Sequence, residues 1–477
     1  MKKLLLPAVG IGIGLLVGFG QTPQRPDSAT TVAAPPEQFS LRVVTRGLAG
    51  PIEMSMGPDG YLWLTERTGP RVTRVNPADG AREVAVTIPE VHASVGQDGL
   101  LGLALHPELL RGTGNDYAYV VFTYDNAPGT TFDRRMTVRR YTYNRQARTL
   151  GNAMDLLSGL PAGDDHVSGR IAFGPDQKLY LSLGDQGNNF GRNRCTPNRA
   201  QELPGAAEVR ARDWTKYQGK ILRLNLDGSI PADNPTPGGV RSHIYSYGHR
   251  NVQGLVFGTD GKLYASEHGQ GSDDEVNIIE AGKNYGWPNV AGYKDDQSYV
   301  YGIWSQSEPE PCSSLLGISG QDINLIPKSV PVQKESEWNH PDFREPLKTF
   351  FTVANGYDWQ VSGSATIAPS GLGIYTTNAG GIPNWANSLL VLSLTKGRVY
   401  RLKLSADGRS VVGEPQEYFR SVNRYRDIAI GPDNRTIYLA TDVQGRTTDE
   451  AGANTQALDT PGAILEFKYG GSATGPN

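Results

Sequence analysis

His166 stands in Asp164-Asp165-His166-Val-Ser-Gly-Arg, and Asp185 follows in Gly184-Asp185-Gln186-Gly187. An imidazole held by a carboxylate can serve as a general base. A turn histidine capping a strand is the competing reading of the same residues. Three further segments carry cations. Arg250 and Asn251 lie in Tyr247-Gly-His-Arg-Asn, Arg424 and Arg426 in Asn423-Arg-Tyr-Arg-Asp, and Lys396 in Ser393-Leu-Thr-Lys-Gly. Gathered cations repel unless an anion sits among them, and guanidinium groups match carboxylates bidentately. Taken singly, each is more readily a surface ion-pair partner. Their shared place in a repeat, set out below, points to an anionic ligand.

Two acidic clusters suggest calcium, which takes many oxygen ligands from flexible loops, backbone carbonyls included. One is Ser272-Asp273-Asp274-Glu275. The other is Lys294-Asp295-Asp296, with Tyr285, Ala291 and Tyr293 nearby and Glu335 as a distant partner. The spacing is not that of an EF-hand. Solvated turn carboxylates are the alternative.

The elements that must position these residues recur along the chain. Gly57-Pro-Asp-Gly-Tyr-Leu-Trp-Leu has counterparts beginning at His106, Gly174, Gly258, Ala368 and Gly431. Each is a turn followed by an aromatic and aliphatic run, the pattern of a hairpin entering a buried strand. A second phrase follows, alternating at period two: 71–76, 138–143, 221–226, 276–280, 399–404 and 464–469. Six such pairs with unequal spacing predict an all-β, six-bladed propeller of four-stranded antiparallel blades. A flat sandwich would not explain the paired phrases. Residues 40–45 read as a strand that completes the last blade and closes the ring. His166, Arg250 and Arg424 all precede a predicted inner strand, so their side chains gather at one mouth of the channel. The longest irregular stretches, 188–215 and 299–348, are the loops most apt to carry function.

Composition agrees. The chain has 477 residues, with 58 glycines and 32 prolines, as many turns between short strands require. That is long for one compact domain, but a propeller grows by adding blades. A net charge of −3 speaks against nucleic acid or anionic lipid as a partner. Lys2 and Lys3 precede an apolar run from Leu4 to Phe19, too short for a comfortable membrane span. Residues 1–20 are therefore expected to be an export signal, with a retained anchor as the alternative. Residues 21–38, rich in Pro, Thr and Ala, are expected to be a tether, 39–470 the propeller, and 471–477 a tail. Export to the periplasm or medium would permit Cys195 and Cys312 to pair, but sequence does not show that they meet.

Several segments in this order resemble the soluble pyrroloquinoline quinone-dependent glucose dehydrogenases and related aldose sugar dehydrogenases. They are Gly96-Gln-Asp-Gly-Leu-Leu-Gly, Asp165-His-Val-Ser-Gly-Arg, Gly174-Pro-Asp-Gln-Lys, Gly248-His-Arg-Asn-Val-Gln-Gly-Leu, Asn284-Tyr-Gly-Trp-Pro-Asn-Val-Ala-Gly-Tyr and Asn423-Arg-Tyr-Arg-Asp. The resemblance spans about 40–469. It implies oxidation of an aldose at C1, with an external electron acceptor completing turnover. His166 would take the C1 hydroxyl proton, Asp185 would orient it, and hydride would pass from sugar C1 to quinone C5. Arg250 would stabilise charge developing on the quinone oxygen. Gln97 and Asp165 match sugar contacts. Asn251, Thr366, Arg424 and Arg426 match cofactor contacts, and the quinone's carboxylates account for the cations. Gly269 and Gln270 match backbone ligands of a calcium ion that bridges cofactor and protein. Asp274, Glu275 and Tyr285 match part of a structural calcium site, and Ala291, Tyr293, Asp295 and Glu335 another. Such sites are associated with homodimer formation.

The departures bear on the substrate. His268 stands where the glucose enzymes have glutamine and is nearer the broader aldose group. The family's cofactor lysine aligns with Thr395, one place before Lys396, and a one-residue shift in a strand reverses side-chain direction. A family tryptophan is replaced near Ser364, and Phe190 falls where a polar sugar contact is expected. These changes put glucose in question more than the redox chemistry. Two other readings compete: a calcium-dependent propeller lactonase and a non-catalytic secreted binding propeller. A lactonase would line its channel with carboxylates and asparagines around a metal. Here the channel candidates are cations and a histidine.

Overall fold

The structure, a computed structural model, describes residues 37–315, 326–358, 365–377 and 379–472. The expected export signal, most of the expected tether, the end of the expected tail and Ser364 lie outside them. Six four-stranded antiparallel sheets form the blades. Blade 1 holds Pro51–Met56, Leu62–Glu66, Arg71–Val75 and Arg82–Thr87, and blade 2 holds Leu100–Leu105, Tyr117–Asp125, Arg134–Asn144 and Thr149–Pro161. Blade 3 holds Ser168–Phe173, Leu179–Leu183, Lys220–Leu224 and Ile244–Tyr247. Blade 4 holds Val252–Phe257, Leu263–Glu267, Asp274–Ile279 and Lys348–Phe350, after a long excursion. Blade 5 holds Pro369–Tyr375, Ser388–Ser393, Val399–Lys403 and Gln416–Tyr418. Blade 6 takes Tyr425–Ile430, Thr436–Thr441 and Ile464–Ser472 from the end of the chain and Glu37–Thr45 from its start. The closing strand is the expected one, begun three residues earlier, inside the segment read as tether.

The repeated phrase has a local cause. In Gly57-Pro-Asp59-Gly, the Asp59 carboxylate accepts the Tyr61 N–H at 3.2 Å and the Trp63 indole N–H at 3.1 Å. Asp176 accepts from Lys178 N and the Tyr180 hydroxyl at 3.2 and 3.0 Å, and Asp433 from Arg435 N at 3.0 Å. An Asx turn thus reverses the chain between first and second strands. The strand that follows is buried on both faces in every blade, because its neighbours are other blades. One hydrophobic cluster fills each interface: Trp63 and Leu103 between blades 1 and 2, Leu181 and Leu160 between 2 and 3, Ile221 and Val252 between 3 and 4. Val276 and Leu389, Leu390 and Ile437, and Tyr438 and Leu64 serve the remaining three. The sole α-helix among the described residues is Ala206–Ala211.

Two features shape the channel. Every first strand carries a register shift near its leading end, as between Ser168 and Ile171, Val252 and Gly254, and Tyr425 and Asp427. The other three repeat it. A bulge there twists the strand and re-aims its side chains toward the mouth. Lower down, Arg170 of blade 3 crosses to Glu53 of blade 1 at 3.2 Å and Asp427 of blade 6 at 3.1 Å, and donates to the Arg426 carbonyl at 3.1 Å. This buried strut holds three blades at one point beneath the residues described next.

Candidate active site

His166 and Asp185 meet at the mouth: Nδ1 and Oδ1 are 2.7 Å apart, with both residues buried. His166 precedes the first strand of blade 3 and Asp185 follows the second, so the hairpin returns one beside the other. Gly184 makes the approach close; a Cβ there would lie 1.7 Å from the His166 carbonyl oxygen. His166 itself has a φ of +42°, an uncommon conformation for a side chain of its size.

Asp185 is held from all sides. Gly187 N donates to Oδ1 at 2.9 Å, and Trp287 Nε1 and Asn198 Nδ2 donate to Oδ2 at 2.7 and 2.9 Å. Burial favours its neutral form, but His166, Arg250 and the Gly187 N–H outweigh burial and lower its pKa. It stays ionised and accepts the Nδ1 hydrogen; in the neutral imidazole Nε2 then keeps its lone pair. Nε2 makes no hydrogen bond among the described residues and lies 3.9 Å from Asp165 Oδ1.

The expected substrate contacts join this pair. Gln97 Nε2 donates to Asp165 Oδ1 at 2.8 Å, and Asn251 Nδ2 donates to Gln97 Oε1 at 3.3 Å. Arg250 lies between two rings, its guanidinium carbon 5.5 Å from the Phe190 centroid and 5.3 Å from that of Trp287. Phe190 also lies nearly parallel to the His166 ring, centroids 6.1 Å apart. The loop carrying Phe190 is tied to the blade 4 excursion. Asn189 bonds Gly302 O at 2.7 Å and accepts Trp304 N at 3.0 Å, and Cys195 is disulfide-bonded to Cys312.

Across the mouth, Arg426 pairs with Asp442, and Arg424 Nε lies 3.5 Å from the same carboxylate. Burial would raise the Asp442 pKa, but Arg426 and Arg424 hold it down. His268 is pushed well below the usual imidazole range by burial and by Arg250, His166 and Arg426, so it is neutral. Thr366 donates to Asp274 Oδ2 at 2.5 Å, and Gly269 N donates to Oδ1 at 2.9 Å. Thr395 donates to the Thr366 carbonyl at 3.0 Å. Lys396, one place on, stands apart: it lines a rim pocket with Arg398 and Arg420, and its ammonium lies 5.8 Å from the Phe351 ring.

These groups fit a polyanion with hydrogen-bond acceptors. Among the described residues, the Nε atoms of Arg250 and Arg426 and Nε2 of His268 are buried without hydrogen-bond partners. Burying unsatisfied donors is costly. Several converge here, together with more guanidinium charge than Asp442 balances.

The calcium residues divide. Among the described residues no hydrogen bond reaches the carbonyl oxygens of Gly269 or Gln270, which lie beside His268. Asp274 is fully engaged, since Ile367 N and Ala368 N also donate to it, at 2.7 and 3.0 Å. It shapes the site by pinning backbone on both sides. Glu275 accepts Gly292 N at 2.7 Å. The Tyr285 hydroxyl donates to Ile278 O at 2.5 Å and accepts Glu280 N at 2.8 Å, away from the acidic groups. Tyr293 is half-buried. Glu335 is fully buried and accepts backbone N–H groups of Ala291, Asp295 and Asp296 at 3.0, 3.2 and 2.9 Å. Burial pushes it up to about 8, and no cationic side chain pairs with it among the described residues. Three backbone N–H groups already occupy its oxygens, so a hard cation, which takes oxygen ligands, would have to share or displace them. No set of three His, Cys, Asp or Glu side chains forms a metal cage among the described residues.

Sequence reasoning missed Arg67, Trp287, Asn198 and Asp442. Arg67 bonds the carbonyls of Gly96 and Asp98 at 2.7 and 2.9 Å and so shapes the loop of Gln97. Asp442 had a signal: it lies eleven places after Gly431, as Asp185 lies eleven after Gly174.

The class defined here is a six-bladed propeller with a carboxylate-held imidazole facing a cluster of buried cations. The family model described as glucose/sorbosone dehydrogenase matches residues 48–310 and 341–448, and the chain belongs to that family. It is 42% identical to quinoprotein glucose dehydrogenase B of Acinetobacter calcoaceticus, over 98% of this chain and 99% of that one. It is 30% identical to an aldose sugar dehydrogenase of Escherichia coli, over 55% of this chain and 66% of that one. The structure of the PQQ-bound aldose sugar dehydrogenase of Streptomyces coelicolor superposes with a TM-score of 0.61 at 28% identity, covering 91% of this chain and all of that one.

Proposed function

We infer that the chain is a pyrroloquinoline quinone-dependent sugar dehydrogenase that oxidises the C1 hydroxyl of an aldose to the lactone. The observation that carries this is the His166–Asp185 pair facing the buried guanidinium groups of Arg250 and Arg426, whose Nε atoms have no hydrogen-bond partner among the described residues. When bound, the quinone supplies a two-electron acceptor for the C1 hydride.

The chain's own residues do the rest. His166 Nε2 accepts the C1 hydroxyl proton, and Asp185 stabilises the imidazolium that forms. Gln97 and Asp165 hold the sugar's hydroxyls. Arg250 presents positive charge where negative charge develops, in a site whose aromatic walls exclude water. Arg424, Arg426, Asn251, Thr366 and the neutral His268 hold the cofactor, with Lys396 outermost. The Gly269 and Gln270 carbonyls hold one calcium ion, and the Glu335 region with Asp295, Ala291 and Tyr293 a second. The Asp274, Glu275 and Tyr285 segment buttresses both. An external acceptor reoxidises the enzyme. The short apolar N-terminal run supports export, and no helix among the described residues is long and apolar enough to cross a membrane.

The test is reconstitution of the apoprotein with quinone and calcium, followed by an aldose panel with an artificial acceptor. Bleaching of the bound quinone's absorbance by an aldose supports the reading; binding without reduction by any aldose overturns it.

A further inference from the structure

The stretch between blades 3 and 4 contains a second histidine, His249, beside Arg250. Its Nδ1 is 3.0 Å from Glu267 Oε2, and its Nε2 is 2.9 Å from Ser246 Oγ. A serine, a histidine and a glutamate in line are the parts of an acyl-transfer triad. Here they cannot act as one. Ser246 and His249 are 0% exposed and Glu267 is 3% exposed, so no substrate reaches the hydroxyl.

The other oxygen of Glu267 shows a different use. Oε1 accepts the backbone N–H of Arg250, in a short bond, and that of Asn251 at 3.1 Å. The Arg250 carbonyl accepts the Asp185 N–H at 2.8 Å. The same few atoms therefore set Arg250, Asn251 and the backbone of the residue that holds His166. The ring is fixed in turn. It stacks on Tyr285 with centroids 4.7 Å apart and planes 20° apart, and His249 N donates to Gly219 O at 3.2 Å.

We propose that Ser246, His249 and Glu267 form a buried positioning chain for the cofactor-facing residues Arg250 and Asn251. The proposal rests on the reading above, in which those two residues hold the quinone. With the Nδ1 hydrogen donated to Glu267, Nε2 accepts the Ser246 hydroxyl hydrogen. Glu267 then has both oxygens directed, one by the ring and one by the two backbone N–H groups. Without the ring, the carboxylate can swing away and leave those N–H groups buried and unpaired. Arg250 and Asn251 then lose their placement. The chain can also run in reverse. A glutamine at 267 keeps an oxygen for the N–H groups and donates its amide hydrogen to Nδ1, and Nε2–H then donates to Ser246.

The experiment uses full-length His249→Phe, His249→Gln and Glu267→Gln proteins. His249→Phe keeps the stacking on Tyr285 and removes both hydrogen bonds. Apoprotein is titrated with pyrroloquinoline quinone at saturating calcium, and turnover is measured at saturating quinone. Amide exchange is followed in the peptide holding Arg250 and Asn251. In His249→Phe, quinone affinity and turnover each fall about tenfold or more while sugar KM stays within about twofold. Exchange at the two amides speeds by about tenfold or more, with other blades unchanged. Glu267→Gln stays within about threefold of the parent in all three readouts. A purely structural role would lower the melting temperature and leave per-site affinity and turnover alone. Values within about twofold of the parent in His249→Phe, or in His249→Gln should the former not fold, overturn the proposal. So does a Glu267→Gln loss as deep as that of His249→Phe. If the parent binds no quinone, the functional reading fails instead, and the exchange rates, which need no cofactor, still decide the positioning.

Discussion

The indole N–H of Trp287 donates to Asp185 Oδ2 at 2.7 Å, across the boundary between blades 3 and 4. Trp287 belongs to the blade 4 excursion and Asp185 to the hairpin of blade 3. The bond leaves Asp185 Oδ1 for His166 and places an aromatic wall beside Arg250. It makes the placement of the His166–Asp185 pair a property of two blades.

If His166 is the base, His166→Ala lowers turnover by roughly 100-fold or more, with quinone affinity within a few-fold of the parent. Steady-state kinetics beside a quinone titration checks this. Equal loss of both quantities would show that His166 chiefly builds the pocket.

Asp185 makes a pH-dependent contribution to stability. Its pKa in the folded chain is below the ordinary 3.8 despite burial, because His166, Arg250 and the Gly187 N–H favour the carboxylate. A depressed folded value adds stability that is present above the unfolded pKa of about 3.9 and is lost as pH falls through the folded value. Denaturant unfolding of the parent and Asp185→Asn should therefore differ at neutral pH, and the difference should shrink as pH falls below the unfolded pKa of about 3.9. A difference that stays constant as pH falls through that range contradicts the assignment.

Arg170 should be the costliest single charge to remove from the channel. It is buried between Glu53 and Asp427, and burial pushes Glu53 up to about 8 even with the guanidinium present. Arg170→Met strands two acids and should cost about 3–5 kcal/mol. Adding Glu53→Gln and Asp427→Asn should recover most of that. Urea unfolding of the single and triple variants measures both.

If calcium sits by Glu335, chelation lowers stability and added calcium restores it. At a hundredfold excess over Kd the gain is about 2.7 kcal/mol. Glu335→Gln should shrink that increment, because the ion loses its buried carboxylate. Melting curves with chelator and with calcium decide it; identical increments in parent and variant exclude Glu335.

The blades were legible in the residues because turn chemistry and period two are local. An aspartate two residues ahead of the N–H it caps, followed by an apolar run, says the same thing wherever it stands. The closing strand near residue 40 was legible for that reason, and so were His166, Arg250 and Arg424, each placed by its distance from a repeat. By itself the sequence thus determined the number of blades, the end of the channel where His166 and the arginines gather, and the cationic character of that end. Only the tertiary structure decided which groups touch. Trp287 and Asn198 lie on long irregular segments, where no period ties position to direction. The meeting of Cys195 and Cys312 and the engagement of Asp274 with backbone likewise depend on how two loops close over one point. Such contacts are set by packing between segments far apart in the chain, and local pattern carries no record of them.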